Sequence, residues 1–131
     1  LDINCDVWPE SDIEMIEKTY TDYIDSDKPF MAYYMTVSGH MEYNFFGNNI
    51  ASKNKSLVDN LNLSTSASAY LATQIELDRA LELLINKLEE ANKLDDTVII
   101  LTADHYPYAL SLEEMNELST FKRDNLFEIT S

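Results

Sequence analysis

The sequence predicts an α/β fold class built around a parallel sheet. Two near-continuous apolar runs, Phe30–Val37 and Thr97–Ala103, are separated by about sixty residues that hold one long helical pattern. Runs of this kind read as strands buried on both faces, and a strand–crossover–strand unit is parallel and right-handed. Each run ends in polar residues, Ser38-Gly39-His40 in one case and Asp104-His105 in the other. Ligand-binding groups of open α/β sheets sit just past the carboxyl ends of the strands. His40 and the Asp104–His105 pair are therefore expected at one sheet edge, facing one cleft.

Taken in order, Ser11-Asp12-Ile13-Glu14 is a capping-box pattern, with Ser11 placed to cap and Glu14 to reach back. Ile13, Ile16, Tyr20, Tyr23 and Ile24 follow helical spacing, so a helix is expected from about 12 to 25, ended by Asp25-Ser26-Asp27-Lys28-Pro29. After the first strand, Gly39 is expected to let the chain turn without a Cβ clash. Tyr43, Phe45 and Phe46 read as aromatics packed over the core, and Gly47-Asn48-Asn49 as a turn. A short helix within 49–60 would carry Ile50, Leu57 and Val58.

From about Ser66 to Asn92 there is neither Gly nor Pro, and Leu77, Leu81, Leu84 and Leu88 form one stripe. This helix is expected to pack that stripe on the sheet, with Asp78 half-buried at its flank and in need of a partner. Lys93-Leu94-Asp95-Asp96 turns into the second strand, and Pro107 stops further pairing. Asn125–Ile129 reads as the start of another strand.

Composition fits one soluble unit, since 131 residues that are 45% hydrophobic can bury a core. No apolar run approaches the length of a membrane span, and no signal-peptide pattern opens the chain. The lone Cys5 excludes an internal disulfide. A net charge of −15 with nine basic residues excludes nucleic acid as a partner, because polyanion binding works through Lys and Arg. The same charge disfavours an anionic substrate unless a metal reverses the local field.

An acid beside an imidazole offers an anionic oxygen and a neutral nitrogen to a divalent ion. Adjacent strand residues point to opposite faces, so Asp104 and His105 can share an ion only where the pleat breaks, as Pro107 favours. A serine hydrolase made of Ser38, His40 and Asp104 is disfavoured, because Ser38 lacks the G-x-S-x-G elbow.

Three blocks carry a family resemblance. Lys28-Pro29-Phe30 with Thr36-Val37-Ser38-Gly39-His40-Met41-Glu42-Tyr43-Asn44-Phe45 is the first. Tyr70-Leu71-Ala72-Thr73-Gln74-Ile75-Glu76-Leu77-Asp78-Arg79-Ala80 is the second, and Thr97 through Tyr108 the third. In this order they resemble the lipoteichoic acid synthase group of the sulfatase/alkaline-phosphatase superfamily, over roughly Trp8 to Leu110.

The resemblance implies a three-layer, parallel-sheet alkaline-phosphatase-like fold, present only in part. It implies that Asp104 and His105 bind a divalent metal, usually manganese, and that His40 contacts the substrate phosphate. It also implies that the acid at Asp78 is structural. Family members use a threonine nucleophile and an acidic metal ligand upstream of the strand matching Phe30–Val37, and residues before Phe30 contain no counterpart. The expectation is that residues 1–131 are the carboxyl-terminal part of a catalytic domain, truncated at both ends and inactive alone.

The parent is expected to be a membrane-anchored enzyme with an extracellular catalytic domain. It would take a phosphatidylglycerol-type lipid donor and a glycerol-phosphate polymer acceptor. The alternatives are a sulfatase or phosphodiesterase of the same superfamily and, from another class, a non-catalytic binding domain. A truncated sheet is expected to leave an apolar edge through which the chain self-associates.

Overall fold

The computed structural model describes residues 8–119. Four α-helices organise them: α1 (Asp12–Thr19), α2 (Asn49–Asn54), α3 (Thr65–Glu90) and α4 (Leu112–Leu118). Single 3₁₀ turns follow α1 at Tyr20–Asp22 and α2 at Lys55–Leu57, and a third lies at Leu94–Asp96. No helix of the described residues is long and apolar enough to cross a membrane. The expected strand at 125–129, and Cys5, lie outside the described residues.

Each helix starts where a short polar side chain satisfies its free N–H groups. Ser11, Asn48, Ser64 and Ser111 accept from Glu14, Ala51, Ala67 and Glu114 respectively. Ser11 thus caps α1 as its pattern predicts, while the Glu14 carboxylate lies 2.6 Å from Lys18. The complete reciprocal box occurs at α4, between Ser111 and Glu114. Helix α3 ends in a Schellman motif, with Asn92 at φ 55° taking the left-handed position usually given to glycine. Lys93 N–H donates to the Leu88 carbonyl at 2.8 Å and Asn92 N–H to that of Glu89 at 2.9 Å.

Helix α3 is the scaffold on which α1 and α2 pack. Its fully buried face is made of Ala69, Ala72, Thr73, Glu76 and Ala80, with Leu88 at the far end. Small side chains there let the flanking helices approach closely, and Ala51 and Val58 close the core around Ala69 and Ala72. This face lies roughly a quarter turn around the helix from the expected leucine stripe. Leu77, Leu81 and Leu84 are only half-buried. Leu88, the last residue of that stripe, is buried. Asp78 is exposed rather than half-buried, so water supplies the partner that its charge requires.

The runs expected as strands form no ladder among the described residues. Phe30–Val37 is fastened to α1 and the turn after it. Phe30 packs on the Tyr23 ring at 4.8 Å, and the Tyr34 hydroxyl lies 2.8 Å from Thr19 Oγ1 and 2.9 Å from the Tyr23 hydroxyl. Burial and then that hydrogen bond push the Tyr23 phenol well up. The intervening side chains are bare, with Met31 at 92%, Tyr33 at 79% and Met35 at 75% exposure. Thr97 and Ile99 are half-buried, while Val98 and Ile100 are exposed. From Leu101 to Ala103 every side chain is exposed, so the alternation covers only four residues.

Candidate functional site

Two loops carry the chemistry, one after each apolar run. The first, Val37 to Met41, is built by residues at the start of α1. The Asp12 carboxylate, only 1% exposed, accepts from Val37 N–H at 2.8 Å with Oδ1. Its Oδ2 accepts from Ser38 N–H at 3.3 Å and from the Ser38 hydroxyl. His40 N–H closes the turn on the Val37 carbonyl at 2.9 Å.

Gly39 has no positive φ, so the turn itself does not require glycine. A Cβ there would lie 2.8 Å from the Gln74 side-chain amide on α3, the mobile end of a flexible side chain that can move aside. Ser38 is fully buried and its hydroxyl is committed to Asp12, which removes the serine-hydrolase arrangement on structural grounds.

His40 itself is exposed. Its ring meets the edge of Trp8 with centroids 5.5 Å apart and planes at 78°. Trp8 Nε1–H donates to the Met41 carbonyl at 2.7 Å, fixing the chain just beyond the histidine.

The second loop holds Asp104 and His105, both exposed. His105 N–H donates to Asp104 Oδ1 at 2.9 Å, which turns the carboxylate toward its neighbour instead of the opposite face. Asp104 Oδ2 and His105 Nε2 end 3.6 Å apart. Two donors each about 2.1 Å from one ion are separated by about 3.0–3.5 Å at octahedral to tetrahedral angles, so the pair fits a shared divalent ion with a slight opening. His105 Nδ1 lies 2.8 Å from the Tyr106 carbonyl. With the proton on Nδ1, that bond leaves the Nε2 lone pair free, as in metal-binding histidines. Among the described residues no third His, Cys, Asp or Glu joins the pair.

Aromatic side chains lie between the loops. Tyr108 packs on His105 at 4.7 Å and is crossed by Tyr106 at 6.5 Å. Tyr43 sits edge-on to Tyr70 at 5.1 Å. The Tyr43 phenol is pushed up by burial first, then by Tyr70 and Tyr108, which places Tyr108 within electrostatic reach of Tyr43. No hydrogen bond or ring contact joins His40 directly to Asp104 or His105 among the described residues. Tyr43 and Phe45 pack against the core as expected, whereas Phe46 is 99% exposed.

The sulfatase family model matches residues 1–125, nearly the whole chain and both loops. The chain belongs to the sulfatase family. No curated protein and no solved structure matches it. Membership places this sulfatase-family chain in the sulfatase/alkaline-phosphatase superfamily.

Sequence reading missed Asp12, Trp8 and Glu76. In sequence Asp12 stands only as the second residue of the capping-box pattern, and Glu76 only as one residue of the Tyr70–Ala80 block. The usable signal was that Glu76 shares a helix face with Ala69, Ala72, Thr73 and Ala80, where a solvated acid does not belong.

Proposed function

We propose that this chain contributes the metal-binding and phosphate-binding loops of an extracellular, metal-dependent phosphoglycerol transferase of the lipoteichoic acid synthase type. In this reading Phe30–Val37 and Thr97–Ala103 are neighbouring parallel strands of the complete sheet. The bare faces of Met31, Tyr33, Met35, Val98 and Ile100, and the half-covered leucines of α3, support that arrangement.

The observation that carries the reading is the Asp104–His105 pair. Its two free donor atoms converge, and the second imidazole nitrogen is occupied by a backbone carbonyl. A bound divalent ion, manganese by resemblance, would lower the nucleophile's pKa and stabilise charge on phosphoryl oxygens. Asp104 and His105 hold and orient that ion. His40, exposed on a braced loop, binds a phosphate oxygen of the donor or assists proton transfer. The threonine nucleophile and a further acidic ligand come from polypeptide outside these 131 residues.

An apolar concavity of about 430 Å³ beside the pair is lined by Tyr106, Tyr108, Leu110, Leu112 and Met115. It suits a donor that carries a lipid better than a small soluble ester. The family's own description favours a second reading, hydrolysis of a sulfate ester at the same metal pair.

The test is turnover of a phosphatidylglycerol analogue by the complete catalytic domain, with a sulfate ester assayed in parallel. Asp104→Ala and His105→Ala abolish glycerol-phosphate release and metal binding together. His40→Ala keeps the metal and loses turnover. Full activity in Asp104→Ala defeats the mechanism, and turnover of the sulfate ester alone selects the hydrolase.

A further inference from the structure

We propose that Asp12 is a positioning residue for His40, fixing through Val37 and Ser38 where the imidazole stands. This deepens the reading above and rests on it for the claim that His40 meets the substrate.

Asp12 has no capping duty to explain it. Ser11 already caps α1, and an acid in the first turn ordinarily serves its own helix from the surface. Asp12 instead is buried and directs both oxygens away from α1, onto three donors of a segment twenty-six residues further on, Ser38. A buried carboxylate is costly unless its lone pairs are filled, and here the filling donors all lie two or three positions before His40.

On the other side of His40, Trp8 ties down the Met41 carbonyl and touches the imidazole. Gln74 closes the space over Gly39. The backbone is held at 37, 38 and 41, yet the side chain at 40 is left exposed. Bracing of this density around one solvent-facing imidazole is what preorganisation of a functional group requires.

The chain contains two histidines, so His105 serves as an internal control for His40 in proton NMR. In the wild type the His40 ring protons are expected to show an NOE to Trp8 and a ring-current shift. Asp12→Asn keeps size but has one accepting oxygen in place of two, so the Val37 and Ser38 N–H groups can no longer each find an acceptor of their own. The His40 signals should move toward those of a free histidine and the Trp8 NOE should vanish, with His105 signals and helical circular dichroism unchanged. Ser38→Ala removes one donor without touching the carboxylate and should move His40 part of the way. It keeps the question open to measurement if Asp12→Asn fails to fold. Unmoved His40 signals in either folded variant overturn the proposal.

In the complete domain, Asp12→Asn should lower kcat for the phosphatidylglycerol analogue by about a hundredfold with metal affinity unchanged. Asp12→Glu should not restore it, because the longer side chain cannot occupy the same site. Unchanged kcat in Asp12→Asn overturns the positioning role. Absence of wild-type turnover with the NMR result intact defeats the transferase reading alone, and leaves the hold of Asp12 on His40 standing.

Discussion

The Ser11 hydroxyl donates to the Glu76 carboxylate at 2.5 Å, joining the cap of α1 to the middle of α3. The other Glu76 oxygen takes the Lys53 ammonium of α2 at 3.0 Å. One fully buried acid therefore registers three helices, and the neighbouring residue Asp12 passes that register to the His40 loop.

Lys53→Met should cost about 2 kcal/mol, measured by urea unfolding. It leaves a buried charge with a single hydroxyl donor, but the Lys53 side chain is 53% exposed and water offsets part of the loss. Lys53→Met combined with Glu76→Gln should recover much of that, since the double variant no longer buries a charge. Additive losses would show that the pair is not coupled.

Helix existence was legible in the residues and helix orientation was not. The Ser11 cap, the absence of Gly and Pro from 66 to 92, and the Lys93–Asp96 turn all act within a few positions, and local sequence carries them. The buried face of α3 depends on which partner arrives. Leu77, Leu81 and Leu84 are the more apolar side, yet α1 and α2 dock on the alanines because close approach needs small residues. The Ser111–Glu114 box is written plainly as Ser-x-x-Glu, four residues beyond the proline that ends the expected strand. His40, Asp104 and His105 stood out by type and spacing. Asp12 did not, since its partners are distant in sequence and only the fold brings them together.

Asn92 gives a second, purely backbone prediction. At φ 55° asparagine is tolerated and glycine is unstrained, whereas a β-branched residue meets the following carbonyl. Asn92→Val should destabilise by about 1–2 kcal/mol and Asn92→Gly should be neutral or stabilising. Equal stability of the two variants would remove the Schellman assignment.

The Glu114 carboxyl is held below its usual range, first by the Ser111 backbone N–H and then by the Ser66 and Ser111 side chains. Its folded pKa is lower than its unfolded one, so the contribution is complete above the unfolded value of about 4.3 and disappears as pH falls through the folded value. Acidification should therefore loosen the cap of α4, read as movement of the Ser111 amide resonance. Glu114→Gln should abolish that movement. A Ser111 shift that persists in Glu114→Gln would assign it to another acid.

Met31, Tyr33, Met35, Val98 and Ile100 expose an unpartnered apolar surface beside unpaired backbone. Such surfaces associate, so this chain should form oligomers as concentration rises, seen by light scattering. Val98→Lys with Ile100→Lys should shift it toward monomer. A wild-type chain that stays monomeric at high concentration would show that these runs are protected by another route.

Metal binding by this chain alone should be weak, because the two protein ligands found among the described residues fall short of the three that catalytic sites commonly supply. Weak binding is still informative when the ion is paramagnetic. Manganese added in small amounts should broaden the His105 ring signals first. The His40 signals should sharpen the contrast by persisting, since no ligand-bearing contact joins that ring to the pair. With the Nδ1 proton on the Tyr106 carbonyl, Nε2 is the donor, so the two ring C–H protons, both beside Nε2, should broaden together, whereas binding at Nδ1 would broaden the proton between the nitrogens far more. Asp104→Ala should raise the manganese needed for the same broadening, because it removes the only anionic donor while leaving the imidazole in place. If His40 broadens first, or if Asp104→Ala changes nothing, the metal belongs elsewhere and the pair is a solvated turn.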